Sequence, residues 1–194
     1  MDSDFQRRIT FILEIDRLKT ILRQTLITDA SRQETTAEHS WHLGVMAFLL
    51  ADHALGPIDV LRTVKMCLVH DIVEIDAGDT FAYDAVGYQD KEAREQRAAD
   101  RIFGLLPESQ AAEIRALWDE FEAAQTPESR FANALDRLQP LLNNWKTAGG
   151  TWHRHTVSRA QVTARMQSVR TDLPEAWPLV EGIINEACAQ GWLK

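Results

Sequence analysis

Apolar residues recur at helical spacing along most of the chain, and the two-residue alternation of a half-buried strand is nearly absent. Residues 5–24 carry one stripe through Phe11, Ile12, Ile15, Leu18 and Leu22, which predicts a first helix over that span. The polar residues 28–33 interrupt it. Thr35 or Thr36 suits the cap of a second helix, with Glu38 in its first turn, running to about Leu55 before Gly56-Pro57 stops it. A third helix is predicted over residues 58–77, with Ile58, Leu61, Val64, Leu68, Ile72 and Ile75 on its apolar face and Gly78 at its end. Residues 79–90 form one long loop bearing Phe81, Tyr83 and Tyr88. Further helices are expected at about 91–103, 108–124 and 127–146, and after Gly149-Gly150 at about 157–169 and 174–190. The expected fold is all-α: about eight helices around one core, in a single domain over residues 1–194.

Composition narrows the function. Hydrophobic residues make up 45% and charged residues 26%, the balance of a globular chain. Lys and Arg total 21 against 29 Asp and Glu, a net charge of −8, so nucleic-acid polymers and anionic membranes find no overall attraction. An anionic substrate must then be held locally, by a metal ion or a few arginines. Cys67 and Cys188 are too few for a disulfide framework and point to a reducing compartment. The longest apolar run, Val45 to Ala51, is far shorter than the roughly 20 residues of a bilayer span. With no signal-peptide pattern at the N-terminus, the expectation is a soluble, cytoplasmic protein.

The candidate chemistry centres on His70-Asp71, set among Leu68, Val69, Ile72 and Val73 inside the expected third helix. A carboxylate and an imidazole buried there need partners or a metal. Glu74, at i+4 from His70 and i+3 from Asp71, projects over the same patch. His39 near the start of the second helix and Asp136 on an apolar helix face are further candidates. His39 reads alone as a hydrogen-bonded helix residue, and Asp136 as a partner of Arg137 or Arg130. Together the two imidazoles and two carboxylates form a mixed nitrogen and oxygen donor set suited to Mn²⁺, Fe²⁺, Co²⁺, Ni²⁺ or Zn²⁺. Pro140 cannot donate to the Asp136 carbonyl, so a bend is expected there. Cys67 reads as a small core residue.

Three segments carry a resemblance. They are Glu34-Thr35-Thr36-Ala37-Glu38-His39-Ser40-Trp41, residues 67–79 from Cys67 through His70-Asp71 and Glu74 to Gly78-Asp79, and residues 134–142 around Asp136. In this order, between about residues 10 and 147, the chain resembles the HD-domain metal-dependent phosphohydrolases, in particular the short helical branch that includes the 5′-deoxynucleotidases. The resemblance implies one divalent ion (Mn, Co, Fe, Ni, Zn or Mg) held by His39, His70, Asp71 and Asp136. It implies catalytic carboxylates at Glu74 and Asp79 and a phosphate-binding Arg23 near the end of the first helix. It also implies a homodimer and a small nucleotide or phosphate-ester substrate. Gln24-Thr25 stand where the best-known bacterial members carry Trp-Pro.

The expected reaction is hydrolysis of a nucleoside 5′-monophosphate. Cyclic nucleotides and nucleoside polyphosphates are alternative substrates, and a non-enzymatic helical module with a structural metal is the alternative class. Glu74 and Asp79 favour the enzyme, because a structural site needs no extra carboxylates beside its ligands. His42 is expected behind His39, Glu38 at the helix N-terminus, and Asp76 and Asp84 in solvent. The signs alternating from Lys91 to Arg101 mark an exposed, salt-bridged face. The aromatics of the 79–90 loop either wall a pocket or tack the loop to the core. The segment Trp152-His153-Arg154-His155 fits a pocket rim or a subunit contact.

Overall fold

A computed structural model describes residues 3–194. The chain forms α1 (Asp4–Ile15), a short 3₁₀ turn, β1 (Leu22–Leu26) and β2 (Gln33–Thr35), then α2 (Thr36–Leu49), α3 (Val60–Val69) and the single turn α4 (Glu74–Ala77). It continues through α5 (Lys91–Phe103), α6 (Glu108–Ala123), α7 (Pro127–Lys146), α8 (Gly150–His155), α9 (Arg159–Arg165), α10 (Gln167–Asp172) and α11 (Trp177–Ala189). The architecture is mostly helical, as the periodicity predicts. Helices α2, α3 and α7 pack on one another. Their buried residues, among them Leu43, Met66, Phe131 and Leu135, join one hydrophobic core with Trp118, Val162 and Ile184 from later helices. No helix of the described residues is long and apolar enough to cross a membrane.

The helix expected over residues 5–24 is the largest departure. It ends at Ile15, and Leu22–Leu26 instead pairs antiparallel with Gln33–Thr35. Leu22, the last residue of the apparent stripe, is exposed, while Thr25 is buried. The sequence Thr20-Ile21 and Thr25 to Thr28 is rich in β-branched residues, which favour extended backbone. The polar stretch is the connecting turn, in which the Asp29 carboxylate accepts the Ser31 N–H at 2.9 Å. Arg23 therefore stands on a strand, not at a helix end.

The second and third helices are also shorter than expected. The second stops at Leu49, with a 3₁₀ turn over Ala51–His53. The third ends at Val69, so His70-Asp71 lies just past it rather than well inside. There the backbone tightens: Ile72 N–H donates to Val69 O, Glu74 N–H to Asp71 O and Asp76 N–H to Val73 O, all three residues back. Three residues per turn stacks Glu74 over Asp71. Gly78, with φ of 75°, ends α4 in a conformation other residues avoid.

In the C-terminal third, Gly149 at φ 74° starts an additional short helix, α8, over residues expected to lie outside helices. A Cβ at Gly149 would stand 2.5 Å from Trp192 Cβ, so this turn requires glycine. The two expected final helices are divided into α9, α10 and α11. Helix α7 continues through Pro140 to Lys146.

Thr35 is the cap of α2, with a full capping box: its side chain accepts the Glu38 N–H, and the Glu38 carboxylate accepts the Thr35 N–H at 2.9 Å. Arg32 also donates to Glu38 at 2.8 Å, and chiefly this bond lowers the Glu38 pKa from 4.5 to about 2. A carboxyl group with a folded pKa below its unfolded value stabilises fully above about pH 4.5 and loses that contribution as pH falls through about 2. Thr35→Ala is expected to cost about 1 kcal/mol, seen as a lower urea midpoint with unchanged slope. A midpoint equal to that of the unmodified protein at pH 7 would contradict the capping assignment.

Candidate metal centre

Helix α2 delivers His39, the break after α3 delivers His70 and Asp71, and α7 delivers Asp136. One donor atom each from His39, His70 and Asp136 lie within 4.8 Å of one another. Asp136 Oδ1 is 3.0 Å from His39 Nε2 and 3.7 Å from His70 Nε2. Asp71 Oδ2 is 3.1 Å from His70 Nε2 and 3.8 Å from His39 Nε2. His39, His70 and Asp136 therefore meet at one point, and Asp71 adjoins both imidazoles. The other Asp136 oxygen accepts from Arg137 at 2.9 Å, whereas Arg130 pairs with Asp172. Asp136 thus pairs with Arg137 through one oxygen while the other faces the two imidazoles.

The imidazoles are prepared as ligands. His70 Nδ1–H donates to the Cys67 carbonyl at 2.9 Å, which leaves Nε2 as the nitrogen that an ion would take in place of a proton. That Nε2 atom is buried and has no hydrogen-bond partner. An orphaned imidazole nitrogen facing two carboxylates is the donor chemistry of a divalent transition ion, and the residues fit such an ion. Burial lowers the His70 pKa, but the adjacent Asp71 and Asp136 carboxylates override it and raise the value to about 10. Burial works against the charge of Asp71 and Asp136, yet the histidines and Arg23 hold Asp71 below the usual carboxylate range, and His39, His70 and Arg137 do the same for Asp136. Cys67 is not part of this chemistry, because burial pushes its thiol up to about 12.

Glu74 is buried beside these groups and accepts from Thr36 Oγ1 at 2.8 Å. Burial, reinforced by the Asp71 charge, raises its pKa well above the ordinary carboxylate range. Asp79 is raised for the same first reason, with Arg23 opposing. Arg23 bridges the group: NH1 donates to Asp71 Oδ2 at 2.9 Å and lies 3.7 Å from Asp79 Oδ1. Burial disfavours its charge, but the surrounding carboxylates outweigh that and raise its pKa. Its Nε is buried with no hydrogen-bond partner.

Arg23 and Asp79 also line a narrow, partly open cleft. Phe81, Tyr83, Trp152, Pro140, Leu141 and Met166 supply its apolar wall, and Arg137 and Arg165 its cations. Phe81 and Tyr83 also pack against the core, so both readings of the loop aromatics hold. Tyr88 lies on an adjoining surface groove instead. Within the tryptophan-histidine segment, Trp152 is on the cleft wall, and the His155 ring stacks 4.3 Å from Phe81.

The remaining polar expectations fall on either side. His42 does sit behind His39, with its Nδ1 3.3 Å from Gln139 Nε2, and Glu38 is engaged by the helix cap. His53 pairs with Glu175 at 2.6 Å. Asp84 and Asp76 are both exposed as expected, and Asp76 is also ion-paired with Arg101. The 91–101 face is less uniform than expected: Glu95 is buried against Lys91, and Arg94 donates to the Gly87 carbonyl at 3.0 Å, tying down the loop. Sequence reasoning passed over Gln139, Glu34 and Thr36, all buried. The available signal for Gln139 was a polar residue on the apolar face of α7, one turn beyond Asp136.

A helical scaffold that collects two imidazoles and two carboxylates beside an arginine-lined cleft defines a metal-binding domain of the HD type. The chain belongs to the HD-domain family, whose sequence model, described as HD domain, matches residues 15–177. A crystal structure of a predicted metal-dependent phosphohydrolase from Magnetospirillum magnetotacticum MS-1 superposes with a TM-score of 0.94 at 52% identity, covering 98% of this chain and 96% of that one. The human protein 5′-deoxynucleotidase HDDC2 is 30% identical over 135 residues, which is 69% of this chain and 65% of the human one. The 5′-deoxynucleotidase hdd1 of Schizosaccharomyces pombe is 29% identical over 138 residues, 69% of this chain and 68% of that protein. The match thus spans somewhat less than two thirds of the human relative.

Proposed function

We propose that this protein is a metal-dependent phosphomonoesterase that hydrolyses (deoxy)nucleoside 5′-monophosphates to nucleoside and phosphate. The observation that carries the reading is Arg23, which binds Asp71 of the four-ligand cluster at 2.9 Å and also lines the cleft. Anion recognition and metal binding thereby share one wall. The relatives named 5′-deoxynucleotidases support the nucleotide as substrate class.

A divalent ion bound by His39, His70, Asp71 and Asp136 would supply Lewis acidity toward a phosphate oxygen and make a nearby water more acidic. The nitrogen and oxygen donors suit Mn, Fe, Co, Ni or Zn, and elemental analysis identifies which. Arg23, on the cleft wall, donates to the phosphate. Glu74, buried beside the ligands and held by Thr36 Oγ1, takes the proton of the attacking water. Asp79, on the cleft side of Arg23, orients that water. Phe81, Tyr83 and Trp152 give the nucleoside an apolar surface.

The C-terminal helices belong to the same functional domain in this reading, because Arg165 and Met166 line the cleft. The state in solution is a homodimer, with exposed Trp41, Phe48, Leu49, Leu61 and Leu68 as surface that a second copy would cover. Two free cysteines support a cytoplasmic location.

Metal-loaded protein is expected to release phosphate from nucleoside monophosphates faster than from di- or triphosphates, since one guanidinium and one ion offset only a small anion. Phosphate release across a panel that includes cyclic nucleotides and a generic phosphomonoester measures this. Preferential turnover of cyclic nucleotides or polyphosphates would reject the monophosphatase reading.

A further inference from the structure

Behind His39 lies a chain of buried polar groups that the reaction itself does not use. His39 Nδ1 is 3.0 Å from Gln139 Oε1, and Gln139 Nε2 donates to Glu34 Oε1 at 2.6 Å. The second Glu34 oxygen accepts from Thr25 Oγ1 at 3.2 Å and lies 3.8 Å from Arg23 Nε. His39 and Gln139 are fully buried and Glu34 is 3% exposed, so all three are shielded from bulk solvent. These residues come from three elements, β2, α2 and α7, and no local sequence pattern links them.

The order of donors and acceptors is forced from one end. An ionised carboxylate can only accept, so Glu34 must face the amide nitrogen of Gln139. That fixes the amide oxygen toward His39. A carbonyl oxygen can only accept, so His39 must carry a proton on Nδ1, and Nε2, 3.0 Å from Asp136 Oδ1, is the nitrogen left for an ion. We propose that Glu34 and Gln139 are positioning residues, which set the tautomer and ring orientation of His39 for metal binding. This rests on the metal-centre reading above. By contacting Thr25 and approaching Arg23, the same carboxylate ties the β1 segment that carries the anion-binding guanidinium to the ligand shell.

Gln139→Met keeps the volume and removes the acceptor, leaving the Nδ1 proton unpaired. Its affinity for Mn²⁺ or Co²⁺, measured by titration of the metal-free protein, is expected to fall about 10–100-fold, as for other outer-shell partners. The exchange Glu34→Gln with Gln139→Glu is the rescue. The new amide at position 34 donates to the new carboxylate at 139, which accepts from His39, so the polarity of the chain is kept. This double variant is expected to bind metal within a few-fold of the unmodified protein, and Gln139→Glu alone, with two carboxylates face to face, is not. Circular dichroism of the metal-free forms checks folding, and the double variant carries the test if Gln139→Met does not fold. If the unmodified protein binds no metal, the metal-centre reading fails. If it binds metal and Gln139→Met binds equally well, or the double variant recovers nothing, the positioning role is overturned.

Discussion

Glu74→Gln is expected to lower kcat by about 10²–10⁴-fold while the protein keeps its metal, the range for loss of a positioned general base. Glu74 stands over Asp71 because the backbone tightens to three residues per turn after Val69. Its carboxylate accepts from Thr36 Oγ1 and is buried against the Asp71 charge. The amide keeps the size and the Thr36 contact but cannot take a proton. Metal content by elemental analysis should therefore match that of the unmodified protein, with kcat alone collapsing. A kcat within threefold at saturating metal would make Glu74 structural and move the base to Asp79. If Asp79→Asn were equally mild, neither carboxylate would be the base.

His70→Ala and Asp136→Ala are expected to abolish stoichiometric metal binding and, with it, activity. Each removes one donor from a cluster in which His39, His70 and Asp136 offer atoms within 4.8 Å of one another. The affinity loss should exceed the roughly 100-fold upper range for an outer-shell partner. Asp71→Asn should act in the same way, losing activity through weaker metal binding, which separates it from Glu74→Gln. The metal titration used for Gln139 supplies the number. Variants that retain one tightly bound ion per chain would show that the metal sits elsewhere.

Much of this molecule was legible along the chain, because burial selects apolar residues at the period of the element that is buried. The apolar positions of α3 and α7 predicted helices there, helices were also expected over α5 and α6, and Thr35 with Glu38 marked the start of α2 by its capping chemistry. Six of the seven expected site residues likewise stand out as charged or imidazole groups inside apolar or motif-bearing segments, Arg23 being placed by the resemblance alone, and the fold brings all seven into one neighbourhood. The pattern failed where a period of 3.6 and an extended strand share their first apolar positions. Leu18 and Leu22 continue the stripe of α1, but β-branched neighbours and pairing with β2 turn the segment into a strand. It failed again at His70-Asp71, where the apolar run continues but the helix tightens and breaks.

Sequence alone determined which residue types were available for metal and phosphate chemistry, since composition and motif spacing are local properties. Tertiary structure decided their protonation, orientation and company. Gln139 lies 100 positions from His39, and Arg23 lies 48 from Asp71. Hydrogen bonds of about 3 Å and the pKa shifts of a buried charge cluster depend on distance in space, and only packing of α2, α3 and α7 against the β1–β2 hairpin fixes that distance.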